Sequence, residues 1–246
     1  MVKIDKHQYT KEEWHRIRDA RRREKAIKRG LKPPAIKNDP HADVARNKHQ
    51  AFVLGNGTSR SEIIPDELIP HGKIYGCNAL YRSFVPDYLI AVDVKMVLEI
   101  NKAKYQHKHP VWTNPNKTFK DIKGLNYFNP SKGWSSGPTA LWLASTHGHD
   151  TIYILGFDFH GKPDTNGQRT KVNNLYAGTH NYKKKGEPAT YFGNWERQTA
   201  STCEAHAGTR YIRIVEDDDD FVPKQLKKVS NLSHITVSEF RRYYDF

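Results

Sequence analysis

Short apolar runs alternate with amphipathic and polar segments from about residue 50 to the end of the chain. The apolar runs predict β-strands at residues 51–54, 73–77, 87–92, 111–113, 125–128, 151–155 and 211–215. The segments between them predict helices at residues 95–104, 136–144 and 194–207, with a long polar loop over 160–193. Because strands that alternate with helices form mostly parallel sheets covered by helices, we predict a Rossmann-like α/β domain over residues 50–246.

The first part of the chain has a different pattern and predicts a basic helical arm with a linker over residues 1–49. Residues 1–50 contain 15 Lys or Arg but only 7 Asp or Glu. A capping box at Thr10–Glu13 opens a segment that favours helix up to Gly30, although its apolar residues are too few to form a core-facing stripe. The prolines within residues 32–41 predict the linker.

Charge and composition narrow the choice of partner. The formal net charge is +13 and the mean hydropathy is −0.82, which favours an anionic partner. We therefore expect the protein to bind a nucleotide. We also expect residues 3–48 to bind a nucleic acid or an acidic partner. The two cysteines, Cys77 and Cys203, form neither a disulfide framework nor a zinc pattern. No long apolar run or leader is present, so we expect no membrane span and a cytoplasmic protein, in the host cell if the protein is viral.

A turn of small residues follows the first predicted strand. Gly55 and Gly57 allow close approaches that a side chain would prevent. Ser59, with Glu62 three residues later, matches a capping box at the start of a helix. Because free amides at a helix start attract an anion, the sequence predicts a phosphate-binding turn at Gly55–Ser59. An ordinary strand-to-helix turn has the same pattern.

Polar residues also follow other predicted strands. In a parallel sheet the carboxyl ends of the strands meet at one edge, and ligands bind beyond that edge. Asp158 ends the strand at 151–155 and belongs to this set. We predict that a nucleotide or an activated donor also contacts Gly55, Asn56, Gly57, Thr58, Ser59, Asn78, Asp93, Ser135, Ser136, Gly137 and His160.

In order and spacing, four of these motifs resemble those of the bacterial sialyltransferases of glycosyltransferase family 42. The motifs are Gly55-Asn-Gly-Thr-Ser59, Cys77-Asn78, Ser135-Ser-Gly137 and Ile154-Leu-Gly-Phe-Asp-Phe159, all within residues 51–215. The resemblance implies a Rossmann-like fold and direct, metal-independent transfer of a sugar from a nucleotide-activated donor, linked to CMP in that family, with no further cofactor. It implies that the donor contacts Asn56, Asn78, Ser136, Gly137 and Asp158.

The resemblance also implies a histidine general base in the loop after the Gly-x-Asp strand. His180 occupies the matching place, and a histidine accepts a proton near neutral pH. We therefore predict His180 and Asp158 as catalytic residues, with Lys183–Lys185 close to a phosphate. The sequence has His160 where the family would have tyrosine. The identity of the transferred sugar, and whether a sugar is transferred at all, therefore stay open.

Two alternatives remain open. Val85–Asp93 is similar to the hydroxymethylpterin diphosphokinase-like family, in which paired aspartates serve a metal and a diphosphate, so the chain would be a diphosphate-transferring enzyme. A nucleic-acid-binding or phage assembly protein would instead keep the fold without catalysis.

The acidic run Glu216–Asp220 follows a predicted strand. A metal site is one interpretation of this run, but we predict that it forms a solvated loop.

Overall fold

The computed structural model of the protein describes residues 46–246. The predicted helical arm lies outside the described residues, and so does most of the segment expected to bind a nucleic acid or an acidic partner. Among the described residues, none of the helices is long and apolar enough to cross a membrane.

Eight strands form one parallel sheet. They are β1 Gln50–Leu54, β2 Lys73–Cys77, β3 Tyr88–Ile90, β4 Val111–Thr113, β5 Leu125–Tyr127, β6 Thr151–Leu155, β7 Arg210–Val215 and β8 Leu232–Thr236. Their order across the sheet is β5-β4-β3-β2-β1-β6-β7-β8, and every neighbouring pair is parallel. The progression of strands therefore reverses between β1 and β6, at the place where α/β sheets bind their ligands.

Four α-helices in the described part of the chain cover the sheet. They are α1 Val94–Lys102, α2 Ser136–Thr146, α3 Gly193–Ala205 and α4 Val237–Tyr244. Short 3₁₀ helices lie at Thr58–Arg60, Pro65–His71, Asn78–Arg82, Tyr105–His107 and Leu226–Lys228. The predicted Rossmann-like α/β fold, with a mostly parallel sheet covered by helices, is therefore confirmed.

Alternate residues of the central strand pack on opposite faces of the sheet. Ala51 and Val53 belong to a core that includes residues of α2 and α3, whereas Phe52 and Leu54 pack with Phe240 of α4. These four residues of β1 are almost completely buried. A strand that is buried on both faces reads as a continuous apolar run, which explains why β1 was predicted correctly.

The segment that follows β1 differs from the prediction. Only three residues, Thr58–Arg60, form a 3₁₀ helix; Gly57 occupies its cap position, and no side chain caps it. The predicted capping box of Ser59 and Glu62 is therefore wrong. Ser59 is buried and bonds to Asp158, which follows β6, so a contact made far along the chain overrides the local pattern.

The sequence analysis did not predict β8 and α4. The strand lies at the edge of the sheet and mixes polar with apolar residues, which weakens the strand pattern. The helix did carry a local signal, because Thr236 and Glu239 form a capping box with both of its hydrogen bonds present.

Candidate functional site

A cleft of about 390 Å³ opens at the carboxyl edge of the sheet. It lies beyond the ends of β1, β2, β3 and β6 and against the first turn of α2, so the structure brings together ten of the residues predicted from the sequence. These are Gly55, Asn56, Gly57, Asn78, Asp93, Ser135, Ser136, Gly137, Asp158 and His160. Thr58, Ser59 and His180 do not line this cleft.

The turn after β1 is joined to the turn after β6 through its backbone amides. Gly55 N donates to Leu155 O at 2.8 Å and Gly57 N donates to Gly156 O at 2.9 Å. The next two amides donate to side chains, Thr58 N to Asn173 and Ser59 N to Asp158. Four of the five amides of the turn are thus used within the protein, which makes these amides less suitable for a phosphate than the sequence indicates.

Gly57 is required by the packing of Asp158. A Cβ at position 57 would overlap the carboxyl carbon and both oxygens of Asp158. Gly55 has a related role, because its Cβ would meet Gly156 O and the ring of Phe157. The two glycines therefore allow the turns after β1 and β6 to interlock.

We predict that Gly57→Ala destabilises the protein by about 1–3 kcal/mol, because the Asp158 carboxylate must move out of its hydrogen bonds to admit the methyl group. Urea unfolding followed by circular dichroism measures this change. Gly208→Ala is the matched control, since a Cβ there has no neighbour within 4 Å. Equal stability of the two variants would show that the turn yields without cost.

Asp158 is a buried positioning residue in this arrangement. Its carboxylate accepts hydrogen bonds from the amide and hydroxyl of Ser59 and from Asn173 Nδ2 at 2.8 Å. Asn173 also accepts from the Thr58 hydroxyl at 2.6 Å. The carboxylate thus ties the β1 turn to the long loop, and its oxygens are occupied by protein donors.

The first turn of α2 contributes the positive end of a helix dipole to the cleft. Ser135 is the N-cap residue, and the first turn contains no acidic residue. Ser135, Ser136 and Gly137 all line the cleft. The first amides of an α-helix have no partner within the helix, so this turn is a suitable place for an anionic group.

Asn78 presents a hydrogen-bond donor to the same cleft. The Ser136 hydroxyl accepts from Val92 N at 3.1 Å, so its single hydrogen is donated to Asn78 Oδ1 at 2.8 Å. This fixes the amide, and its Nδ2 makes no hydrogen bond to any residue that the structure describes. Asn78 has a left-handed backbone with φ 52°, a strained conformation that is common at functional sites.

Asn56 lines the cleft, and its side chain is held by its neighbours. Its Nδ2 donates to the hydroxyl of Tyr182 at 3.3 Å, and the same hydroxyl accepts from Ala79 N at 3.3 Å. The Oδ1 of Asn56 is enclosed by protein and has no hydrogen-bond partner among the described residues. Buried polar atoms usually have a partner, so this oxygen is an exception to the rule.

Asp93 differs from Asp158 because its carboxylate makes no hydrogen bond or ion pair to any residue in the described part of the chain. It is the N-cap residue of α1, but its side chain does not cap the helix. The surrounding protein displaces part of its water, and this desolvation raises its pKa above the ordinary value of 3.8. The cleft therefore contains one carboxylate that is free to contact a ligand.

His160 lines the cleft, yet both of its ring nitrogens are engaged. Nδ1 lies 2.9 Å from Gly161 O and Nε2 lies 2.7 Å from Asp219 Oδ2. Both partners belong to the protein, so both ring nitrogens are engaged within it. Arg169 and His160 also hold the pKa of Asp219 below its usual range, against the opposing effect of burial. In this geometry His160 has no nitrogen available to accept a substrate proton.

The acidic run Glu216–Asp220, which follows β7, contacts several other segments of the chain. Besides Asp219, Glu216 Oε1 lies 3.2 Å from the Thr58 hydroxyl oxygen, and Asp217 accepts from the amide and hydroxyl of Ser238 in the first turn of α4. Within residues 46–246 no group of three or more His, Cys, Asp or Glu is placed to hold a metal ion. Four of its five residues are exposed, as the prediction of a solvated loop requires, and three of the five carboxylates also contact neighbouring segments.

His180 is exposed in a segment that is fixed beside the cleft. Arg82 donates to His180 O and to Thr179 Oγ1, both at 2.8 Å, and forms an ion pair with Glu99 at 2.7 Å. Asn181 Nδ2 donates to the same Glu99 carboxylate at 2.7 Å. The structure thus holds the backbone of this segment, while the imidazole of His180 stands apart from the residues that line the cleft.

The sequence analysis missed several residues that shape the cleft. Its additional lining residues are Cys77, Pro138, Gly156, Phe157, Phe159, Val172, Asn173, Asn174, Thr190, Phe192 and Trp195. Phe159 has a left-handed backbone with φ 61°, which is unusual for a bulky residue. The aromatic rings give the cleft apolar walls, a common property of ligand sites.

Arg213 was also missed, although it is a charged residue inside an otherwise apolar strand. Its guanidinium is buried and donates to the backbone carbonyls of Phe157, Asp158 and Phe221 at 2.7, 2.9 and 3.0 Å. Burial lowers the pKa of Arg213 to about 10. Arg213 therefore stabilises the turn after β6, whose residues line the cleft.

Asp87 and Asp93 do not form a pair. Asp87 precedes β3 and is bonded to Arg46, Lys73 and the amide of Ile74, whereas Asp93 follows β3 and lines the cleft. They lie at opposite ends of one strand, so these two carboxylates do not share a site.

Comparisons of the chain with protein-family models, with curated proteins and with solved structures found no match.

Proposed function

We propose that the cleft binds a nucleotide-activated sugar and that the protein is a glycosyltransferase. The observation that carries this proposal is the convergence, in one cleft, of a helix N-terminus and a carboxylate that has no partner among the described residues. A sugar donor of this class has a phosphate that leaves and an anomeric carbon that is attacked. The N-terminus of α2 suits the phosphate, and Asp93 suits the acceptor hydroxyl.

The proposed reaction is a single displacement. The acceptor oxygen bonds to the anomeric carbon, the bond from that carbon to the phosphate oxygen breaks, and the acceptor proton passes to Asp93. The dipole of α2 would stabilise the negative charge that develops on the leaving phosphate. Asn78 Nδ2 would orient the donor by a hydrogen bond.

Two residues are candidates for the general base. His180 follows from the resemblance to family 42, and Asp93 follows from the geometry. We favour Asp93 because its carboxylate lines the cleft without a partner among the described residues, whereas His180 is exposed outside it. A base must reach the proton that it accepts.

A binding screen with CMP, UDP, GDP and ATP tests the proposal. The variant Ser135→Asp then tests whether a nucleotide that binds does so in the cleft. Aspartate is a good N-cap residue, so α2 should persist while its charge repels a phosphate. We expect nucleotide affinity, measured by calorimetry, to fall about 10-fold or more.

Thr236→Asp is the matched control because it changes the N-cap residue of α4, which does not line the cleft. Its nucleotide affinity should equal that of the wild type. If none of the four nucleotides binds, the proposal fails and a non-catalytic binding or assembly protein becomes the better interpretation.

A further inference from the structure

A second cavity of about 300 Å³ adjoins the cleft. It is lined by Asn78, Asp93, Val94, Lys95, Met96, Asn181 and Tyr182. Asn78 and Asp93 line both spaces, so they form a shared wall. The volume is at the small end of the range for ligand sites.

We infer that the second cavity is the acceptor site and that the acceptor is a hydroxyl compound carrying a negatively charged group. This inference rests on the proposed glycosyltransferase function, because a direct transfer needs two substrates that meet at one base. The carboxylate of Asp93 faces both spaces and is therefore placed between a donor in the cleft and an acceptor in the second cavity.

Two residues that line the second cavity, Asn181 and Tyr182, are held in place by hydrogen bonds. Asn181 is held in a left-handed conformation with φ 66°, and its Nδ2 donates to Glu99. Tyr182 is fixed by the donors from Asn56 and Ala79 to its hydroxyl. A ligand in this cavity would therefore meet side chains whose positions are set before binding, which lowers the entropic cost of recognition.

We infer the negative charge of the acceptor from Lys95. Apart from Asp93, Lys95 is the only charged residue among those that line the second cavity, and its Nζ makes no hydrogen bond or ion pair to any described residue. With Asp93 accepting the proton of the attacking hydroxyl, Lys95 would pair with a phosphate or carboxylate elsewhere on the acceptor.

Nuclear magnetic resonance titration of the full chain tests this inference with glucose 6-phosphate, glucuronate and glucose. We expect the two anionic sugars to shift the amide resonances of Lys95 and Asn181 and to bind more tightly than glucose. The comparison of the two anions shows whether the site takes a phosphate or a carboxylate. A parallel titration with the nucleotides should shift Gly137 and Asn173 of the cleft instead.

Lys95→Glu should weaken binding of the anionic sugars about 10-fold or more and leave nucleotide affinity unchanged. Lys102→Glu, an exposed change at the other end of α1, is the control and should have no effect. Equal affinity for glucose and the anionic sugars, or unchanged affinity in Lys95→Glu, would overturn the inference while nucleotide binding still supports the proposed function. If no nucleotide shifts the cleft resonances, both proposals are overturned.

Discussion

Asp93→Asn is expected to lower the rate of sugar transfer by about 10²–10⁴-fold, the usual contribution of a general base, and to leave nucleotide affinity close to that of the wild type. Asparagine has nearly the same shape as aspartate but cannot accept the acceptor proton at neutral pH. Steady-state kinetics with a donor from the nucleotide screen measures the rate, and calorimetry measures the affinity.

The pH dependence of transfer separates Asp93 from His180. An Asp93 base must be ionised, and burial raises its pKa above 3.8, so the rate should fall as the pH drops through that raised value. A histidine base would instead lose activity at a higher pH, because an imidazole is more basic than a carboxylate. His180→Ala should retain most of the rate. Full activity of Asp93→Asn together with a large loss in His180→Ala would reverse the assignment.

Arg213→Met is expected to destabilise the fold by about 3 kcal/mol or more, because three backbone carbonyls lose their donor. Methionine fills much of the same volume but leaves the carbonyls of Phe157, Asp158 and Phe221 without their donor. Each buried carbonyl that loses its hydrogen bond costs about 1–3 kcal/mol. Because the first two carbonyls belong to the turn after β6, the variant should also bind nucleotide less tightly.

Urea unfolding monitored by circular dichroism measures this change, and Arg210→Met is the matched control. Arg210 lies on the same strand, but it is exposed and makes one side-chain hydrogen bond, to Thr151 at 3.3 Å. An exposed contact of this kind contributes about 1 kcal/mol or less. Similar losses in the two variants would show that the network under the cleft carries no special stability.

Family 42 glycosyltransferases supplied the first hypothesis about this chain, and the structure changes which residues carry it. The predicted fold is present, and most of the predicted donor-binding residues line one cleft. The β1 turn, which the sequence favoured for a phosphate, has four of its five amides bonded within the protein. We therefore propose the first turn of α2 as the anion site.

The sequence by itself determined the α/β class and the edge of the sheet at which a site would form. Buried parallel strands such as β1 and β6 are continuous apolar runs, and the polar residues after them must meet at the carboxyl edge. The edge strand β8 escaped prediction because it is only half-buried, so its pattern of apolar residues is weak.

Only the tertiary structure decided which polar residues are free to act. Asp93 and Asp158 each follow an apolar strand, and nothing local distinguishes them. Ser59 lies 99 residues from Asp158 in sequence and occupies its carboxylate together with Asn173, while no described residue approaches that of Asp93. Whether a carboxylate positions the backbone or faces a ligand depends on donors brought from distant parts of the chain, and the local sequence does not specify them.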